Sequence, residues 1–580
     1  MRQRAGGRAD FGRSIDAMLA AGRDAMPPDA FLERIFHGSI DPDVFQSFRV
    51  VQDEAKVDRL RKAYAAILDE YPAVSIEAAG AIPEKMLSRM GEIGLFGVTI
   101  PEEYGGLGFN VWEYMRLVEA MVKMDVSVAI ASIAHCSIGV KGVQLFGNDA
   151  QKRKYLVPAA TGEMIFSYAL TEPRIGSDAR HIETLAELSP DGSHYVLNGQ
   201  KTYITNANYA GGLTVFARMD PGRPGFLGVF IVETGWEGVK VGKDMPKMGL
   251  KASSTAPVRF TNVRVPVENL LGKPGEGFKI AMTVLNYGRL GLGAASVGMM
   301  ERSLRDMMKR SSTRVQFQVP IRDFPLIQEK LVSARVNAAV SKAMNDFAAH
   351  FLNANPRLNV AIETSHCKLF GTTRAWDTLY DALQVAGGSG YLSTQPYEKR
   401  MRDFRVATVF EGTTEIHSIY PALFLIRKTA KDALRGGRRT AALTFCLKAL
   451  AARIDWKLRF DNRIMRRASR LAGANARTIS RMIPALYLLY RDRLPEKEYL
   501  LRRISTLSLY LFGLVALLAG MSARSGSGPY GEEDLRVLAH FTEEAALARK
   551  ASRRLFDSRK EILDGLICRD LFRGWKDERG

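Results

Sequence analysis

Cysteine is scarce in this chain. The 580 residues hold four, Cys136, Cys367, Cys446 and Cys568, scattered without paired spacing. That argues against a disulfide framework or a zinc site, points to a reducing compartment, and leaves the thiols as small buried hydrophobes. There is no zinc-finger spacing, no RNP-like aromatic signature and no basic run opening a leucine heptad, so nucleic acid is not an expected partner. No internal repeat of solenoid period and no long low-complexity tract is present. Residues 1–26 are Arg-rich, but their only apolar patch, 17–21, is far too short for a signal peptide. The interspersed Asp10, Asp16 and Asp24 also count against a mitochondrial presequence. One long uncharged run stands out, residues 504–523. Its length suits a membrane span. Ser505, Thr506, Ser508 and Ser522, and a tail otherwise rich in charge, suit the centre of a helical bundle or a membrane-peripheral helix instead.

A chain this long exceeds one hydrophobic core, so two to four domains are expected, with 46% hydrophobic residues to fill them. Residues 1–48 read as an N-terminal extension and 49–165 as a helical domain, broken at Pro72, Pro83 and Pro101. The glycines of residues 100–108 form a loop, and a fresh helix is expected near Val111. Within 166–275 the pattern changes to period two, a β domain. Residues 194–197 and 201–205 flank Asn198-Gly199, which predicts a tight hairpin, and further strands are expected at 213–218, 227–233 and 258–265. A helical bundle fills 276–425, with long helices predicted over 278–314, 326–352 and 360–386 and a glycine cluster, residues 387–390, ending the last. Residues 426–580 form a C-terminal helical extension. The fold class is thus mainly α with a central β-barrel or sandwich domain.

Charge is unevenly spread, since about +16 of the +20 total lies beyond Pro421. Such a tail reads as a docking face for an anionic membrane or as a basic helical face in solvent.

One carboxylate is singled out by its surroundings. Glu411 follows Val409 and Phe410 and precedes Gly412. Loss of hydration beside the apolar pair disfavours the charged form and raises its basicity toward that of a general base. Gly412 lets the backbone come close to whatever lies beside that base. The plainer alternative is an exposed helix-capping Glu.

Several separated motifs occur in one order. They are Ala169-Leu170-Thr171-Glu172-Pro173 with Gly176-Ser177-Asp178; Leu197-Asn198-Gly199-Gln200-Lys201 with Ile204-Thr205-Asn206; Lys247-Met248-Gly249-Leu250-Lys251-Ala252-Ser253; Arg314 with Gln316-Phe317; Gln384 with Gly387-Gly388 and Gly390-Tyr391; and Arg402-Asp403 leading to Glu411-Gly412-Thr413. Over residues 50–419 the chain resembles the acyl-CoA dehydrogenase family, in detail the very-long-chain type with a C-terminal extension. The resemblance implies FAD-dependent α,β-dehydrogenation of a fatty acyl-CoA thioester to the trans-2-enoyl-CoA, in fatty acid β-oxidation, with electrons passed to an electron-transfer flavoprotein. Glu411 would be the base, and its N–H, with a flavin ribityl hydroxyl, would hold the thioester oxygen. Hydride would pass to flavin N5.

The same carry-over sets Tyr168, Thr171, Tyr203 and Thr205 against the flavin ring, with Thr413 and Glu415 completing the contacts beside the base. Ser177 would meet the cofactor side and the thioester-bearing arm of CoA, and Asn286, Arg289 and Gly412 the substrate. Arg314, Phe317, Gln384, Gly387 and Gly388 would clamp the FAD pyrophosphate and adenosine from a neighbouring subunit, making a homodimer. No metal is implied. Small residues at Ala129, Ala131, Ser132 and Ala134 lead to the expectation of a deep acyl tunnel.

The chain departs from the family pattern at Arg174, Gln318, Pro325 and His417, where a flexible glycine, a glycine, a glutamine, and a glutamine or leucine are usual. Gly288 occupies the position where a minority of the family carry the base, which favours Glu411. Two other functions fit the same resemblance: a non-catalytic assembly partner of the same fold, and an oxidase passing electrons to oxygen. The expected location is cytoplasmic, peripheral on the inner membrane in a bacterium, or the mitochondrial inner membrane or matrix in a eukaryote.

Overall fold

The computed structural model describes residues 31–36, 43–223, 225–434, 454–524, 530–573 and 575; Cys446 falls outside them. Helices α1 (Phe31–Phe36), α2 (Asp43–Ser47), α3 (Glu54–Glu70), α4 (Ala73–Ala79), α5 (Glu84–Glu92), α6 (Val111–Met124), α7 (Val126–Ala134), α8 (Lys141–Phe146) and α9 (Asp149–Thr161) precede the sheet. Pro72 and Pro83 stand immediately before α4 and α5, where a missing N–H is harmless. The helix expected near Val111 begins there because Asn110 caps it: the Asn110 side chain accepts from Glu113 N while Glu113 accepts from Asn110 N.

Strands β1 (Ile165–Ala169), β2 (Leu185–Leu188), β3 (His194–Thr205), β4 (Ala210–Arg218), β5 (Leu227–Glu233), β6 (Val239–Val241) and β7 (Thr255–Pro266) form one curled sheet in the order β1-β4-β2-β3-β7-β6, with β5 also on β4. Its concave face encloses Leu213, Val215, Phe230, Val258 and Val263, while the other face packs Phe216, Val229 and Ile231 against the helices.

The hairpin at Asn198-Gly199 is not formed. β3 runs straight through it and pairs antiparallel with β7, shifting register between Leu197 and Gly199. The bulge is held by side chains, since Asn198 Nδ2 donates to Asn262 Oδ1 at 3.1 Å and Asn262 N donates to Asn198 Oδ1 at 2.8 Å. Gly199, at φ 148°, is required because a Cβ there would meet Thr184 at 2.6 Å. An Asn-Gly pair satisfies a bulge as well as a turn, and the available partner strand decided which.

Beyond the sheet run α10 (Gly277–Thr313), α11 (Pro325–Ala354), α12 (Ala361–Ala386), α13 (Pro396–Phe404) and α14 (Thr414–Leu434), then α15 (Arg463–Tyr490), α16 (Glu498–Arg524), α17 (Glu532–Ser552) and α18 (Arg559–Arg573). Buried on all sides over residues 284–300, α10 admits its neighbours through small residues: a Cβ on Gly293 would meet Asn345, and one on Gly298 would meet Glu119 and Val122. Pro325 opens α11, so its missing N–H removes nothing from the helix. The apolar run of 504–523 sits inside α16 as the centre of the C-terminal bundle, its most apolar window 83% buried by the chain. The core is continuous across the expected domain boundaries, for Phe31, Phe45 and Phe48 of the N-terminal extension surround Phe347 of α11, which also meets Phe512 of α16. Cys136 and Cys367 are buried as expected, whereas Cys568 on α18 is exposed.

Candidate active site

A cleft opens where the ends of β1 and β3 face the first half of α10 and the start of α14. One wall carries hydroxyls, from Tyr168, Thr171, Ser177, Tyr203 and Thr205; the opposite wall is apolar, from Ile138, Phe278, Met282, Leu285 and Ile416.

The hydroxyl wall is built by a buried ion pair. Lys201 Nζ, 0% exposed, meets Glu172 Oε1 at 2.7 Å and Leu170 O at 3.1 Å. Glu172 also accepts from the N–H groups of Glu183 and Thr184, and Thr202 N donates to Thr171 O at 2.9 Å. Burial alone would raise the Glu172 carboxyl, but Lys201 and these donors outweigh it and hold it below its ordinary value. The loop bearing Thr171 is thereby fastened to β3. A second register shift, between Lys201 and Ile204, puts Tyr203 at φ 57° and turns its side chain out of the ladder.

Glu411 lies across the cleft, on the turn before α14. Its Oε2 is shut away from solvent with no hydrogen-bond partner among the described residues, over Gly288, where a Cβ would come within 3.0 Å of it. Burial pushes its carboxyl up to about 7, against the opposing pull of Arg289 and Lys368. Both cations are themselves poorly hydrated, and burial draws Lys368 down to about 7. The Glu411 N–H has no acceptor among the described residues, while the Glu411 and Gly412 carbonyls accept from His417 and Lys368.

The remaining expected site residues fall into two groups. Arg289 and Gly412 line the cleft with Glu411. Asn286 lies behind it, 3.5 Å from Arg289 and accepting from Thr364 at 3.0 Å, so it steadies the guanidinium. Thr413 and Glu415 stand at the head of α14 outside the cleft lining, Thr413 Oγ1 3.4 Å from Ile416 N and Glu415 exposed. Arg314, Phe317, Gln384, Gly387 and Gly388 are exposed at the far end of α10 and α12. From Arg289 to Arg314 is about 38 Å along the helix, so these five cannot touch this chain's own cleft. Phe317 is 88% exposed at φ 50°, and Gln318 keeps φ 69°, the left-handed geometry that glycine adopts most freely. Arg174 pairs with Glu183 on the surface. Of the four small residues expected to shape an acyl tunnel, only Ala134 lines the cleft; Ser132 spends its hydroxyl on Leu95 O.

Lys201, Glu172 and Tyr420 had no role assigned from sequence, nor did Lys368. The signal was present only for the first two, as charges inside apolar strand ends within the motifs. The buried atoms without a partner on cleft-lining residues, Tyr168 Oη, Arg289 Nε and Glu411 Oε2, and the row of hydroxyls fit a planar ring with a polar edge.

Helical domain, curled sheet and helical bundle thus enclose one cleft that joins a row of hydroxyls to a buried carboxylate. Three family models match in succession: the acyl-CoA dehydrogenase N-terminal domain over residues 54–163, the middle domain over 167–263 and the C-terminal domain over 275–420. The chain is 32% identical over 556 residues to the mitochondrial very long-chain specific acyl-CoA dehydrogenase of Macaca fascicularis, covering 90% of this chain and 83% of that protein. It is 35% identical to an acyl-CoA dehydrogenase of Bacillus subtilis, over 66% of this chain and all of that one. Among solved structures, an acyl-CoA dehydrogenase from Bacillus anthracis complexed with FAD superposes with a TM-score of 0.78 at 27% identity, covering 93% of this chain and 95% of that one. The chain belongs to the acyl-CoA dehydrogenase family, whose cofactor is FAD.

Proposed function

We propose that this enzyme removes the α and β hydrogens of a long-chain acyl-CoA, with Glu411 as general base, as a step of fatty acid β-oxidation. The observation that carries this reading is the Glu411 carboxylate, desolvated and unpaired against the cleft with a pKa near 7. An α C–H beside a thioester is a very weak acid, so the base must be both basic and aimed. The unengaged Glu411 N–H supplies a donor for the charge growing on the thioester oxygen. Thr171, Tyr203 and Thr205 would hold the flavin ring. The flavin supplies the two-electron acceptor for the β hydrogen. Arg314, Phe317, Gln384, Gly387 and Gly388 reach a bound FAD only from a second copy of the chain, which supports a homodimer with each site shared. The similarity to very long-chain enzymes supports a long acyl group and an electron-transfer flavoprotein as acceptor.

The test is anaerobic bleaching of the bound flavin by saturated acyl-CoAs of increasing length. With about 0.8 kcal/mol per buried methylene, kcat/KM should climb about fourfold per added carbon while the chain still finds apolar wall. A maximum at short chains would remove the long-chain assignment.

We further propose that the C-terminal extension docks on an anionic membrane surface, which would place the enzyme on the inner membrane. α18 supports this reading, because it buries none of its residues and presents Ile562, Ile567, Leu571 and Phe572 beside Arg559, Lys560, Arg569 and Arg573. Removing the whole extension would expose the core that α16 fills. Truncation after Ser558 removes α18 and residues 574–580, leaves α16 covered by α15 and α17, and should leave turnover of soluble substrates intact while lowering sedimentation with phosphatidylglycerol vesicles. Unchanged sedimentation would end the docking proposal.

A further inference from the structure

Glu411 and Gly412 both have positive φ, 56° and 98°. For a residue with a side chain that conformation costs about 1–2 kcal/mol, so something must hold it. His417, one turn into α14, does so in two ways. Its Nε2 lies 3.0 Å from Glu411 O, and a Cβ on Gly412 would meet that same nitrogen at 2.7 Å. The ring is buried, and its Nδ1 lies 2.7 Å from Ser365 Oγ on α12.

These contacts define the tautomer. A carbonyl can only accept, so Nε2 carries the proton; Nδ1 therefore accepts from the Ser365 hydroxyl. Neither nitrogen is left to take up a substrate proton, which excludes the ring as a competing base. Burial, with Arg289 and Lys368 nearby, keeps it neutral by holding its pKa well below the ordinary value. Support continues outward, for the next residue on α12, His366, pairs through Nε2 with Ser508 of α16 at 2.8 Å.

We infer that His417, its tautomer set by Ser365, is a positioning residue that holds the main chain of Glu411 so that its carboxylate and its N–H are presented together to the cleft. This rests on the reading of Glu411 as the base. Glutamine, whose side-chain N–H can still donate to the Glu411 carbonyl, is the conservative replacement.

His417→Ala, His417→Gln and Ser365→Ala are compared in the FAD-loaded enzyme. The alanine variant should lose about 10- to 100-fold in kcat, the scale of a misplaced catalytic group, with KM little changed. It should also move the acid limb of kcat/KM below neutral pH as the released carboxyl gains water. The groups facing that carboxyl, Arg289 on α10, Lys368 on α12, Tyr168 on β1 and Tyr420 on α14, are unchanged in every variant. The glutamine variant should restore most of kcat and the original limb. Independently of turnover, hydrogen exchange over residues 405–413 should quicken in His417→Ala and return toward wild type in His417→Gln. Should the alanine variant not fold, Ser365→Ala carries the test, with a smaller loss in the same direction. Wild-type exchange and an unmoved acid limb in both alanine variants would overturn the inference. A Glu411→Gln variant whose flavin is still reduced at the wild-type rate would instead sink the base assignment and leave the loop result standing.

Discussion

Glu411→Gln is expected to bind FAD and acyl-CoA as the wild type does and to lose about 10²–10⁴-fold in the rate of flavin reduction, the range of a general base. The amide keeps the side chain's volume over Gly288 and leaves the main-chain N–H in place, so binding and charge stabilisation survive while proton removal does not. Because the carboxyl is pushed up to about 7, wild-type kcat/KM should fall as pH drops through 7, when the base becomes protonated. Stability should respond in the opposite sense. A carboxyl whose folded pKa is raised binds more protons folded than unfolded between its ordinary value and about 7, so stability declines as pH rises across that window. Glu411→Gln removes the burden and should melt higher than wild type at pH 8, with little difference at pH 4. Thermal scans at the two pH values, beside rapid-reaction bleaching, check both halves. Full activity in the variant would move the base elsewhere.

Lys201→Met is expected to destabilise the protein by about 3–5 kcal/mol, because it leaves the Glu172 carboxylate buried without its cation. The damage should reach the cofactor as well, since the same pair fastens the Thr171 loop to β3, and FAD should dissociate more readily. Adding Glu172→Gln removes the stranded charge and should recover much of the lost stability, though not the FAD affinity, as the loop stays unfastened. Chemical denaturation of the two variants and fluorescence of released FAD report on each effect. A single variant within 1 kcal/mol of wild type would show that the main-chain donors to Glu172 suffice alone.

Much of the fold was legible in local pattern. The long helices predicted over 278–314, 326–352 and 360–386 begin and end within a few residues of α10, α11 and α12, because their periodicity is long and prolines and glycines stand at their boundaries. The hairpin at Asn198-Gly199 was misread for a definite reason: alternation announces a strand but does not say which strand it pairs with. Of the residues expected to shape an acyl tunnel, Ala134 lines the cleft and Ser132 gives its hydroxyl to Leu95 O, a partner that sequence spacing does not reveal.

What the chain determined unaided is the order of its three folding units and the carboxylate between Phe410 and Gly412, because hydration, helix capping and period act over a few neighbouring residues. What tertiary structure decided is company. Lys368 meets the Glu411 turn from α12, Lys201 on β3 reaches Glu172 in the loop after β1, and Arg314 ends about a helix length from this chain's own cleft. Such meetings come from the packing of distant segments into one core, and no short-range preference encodes them.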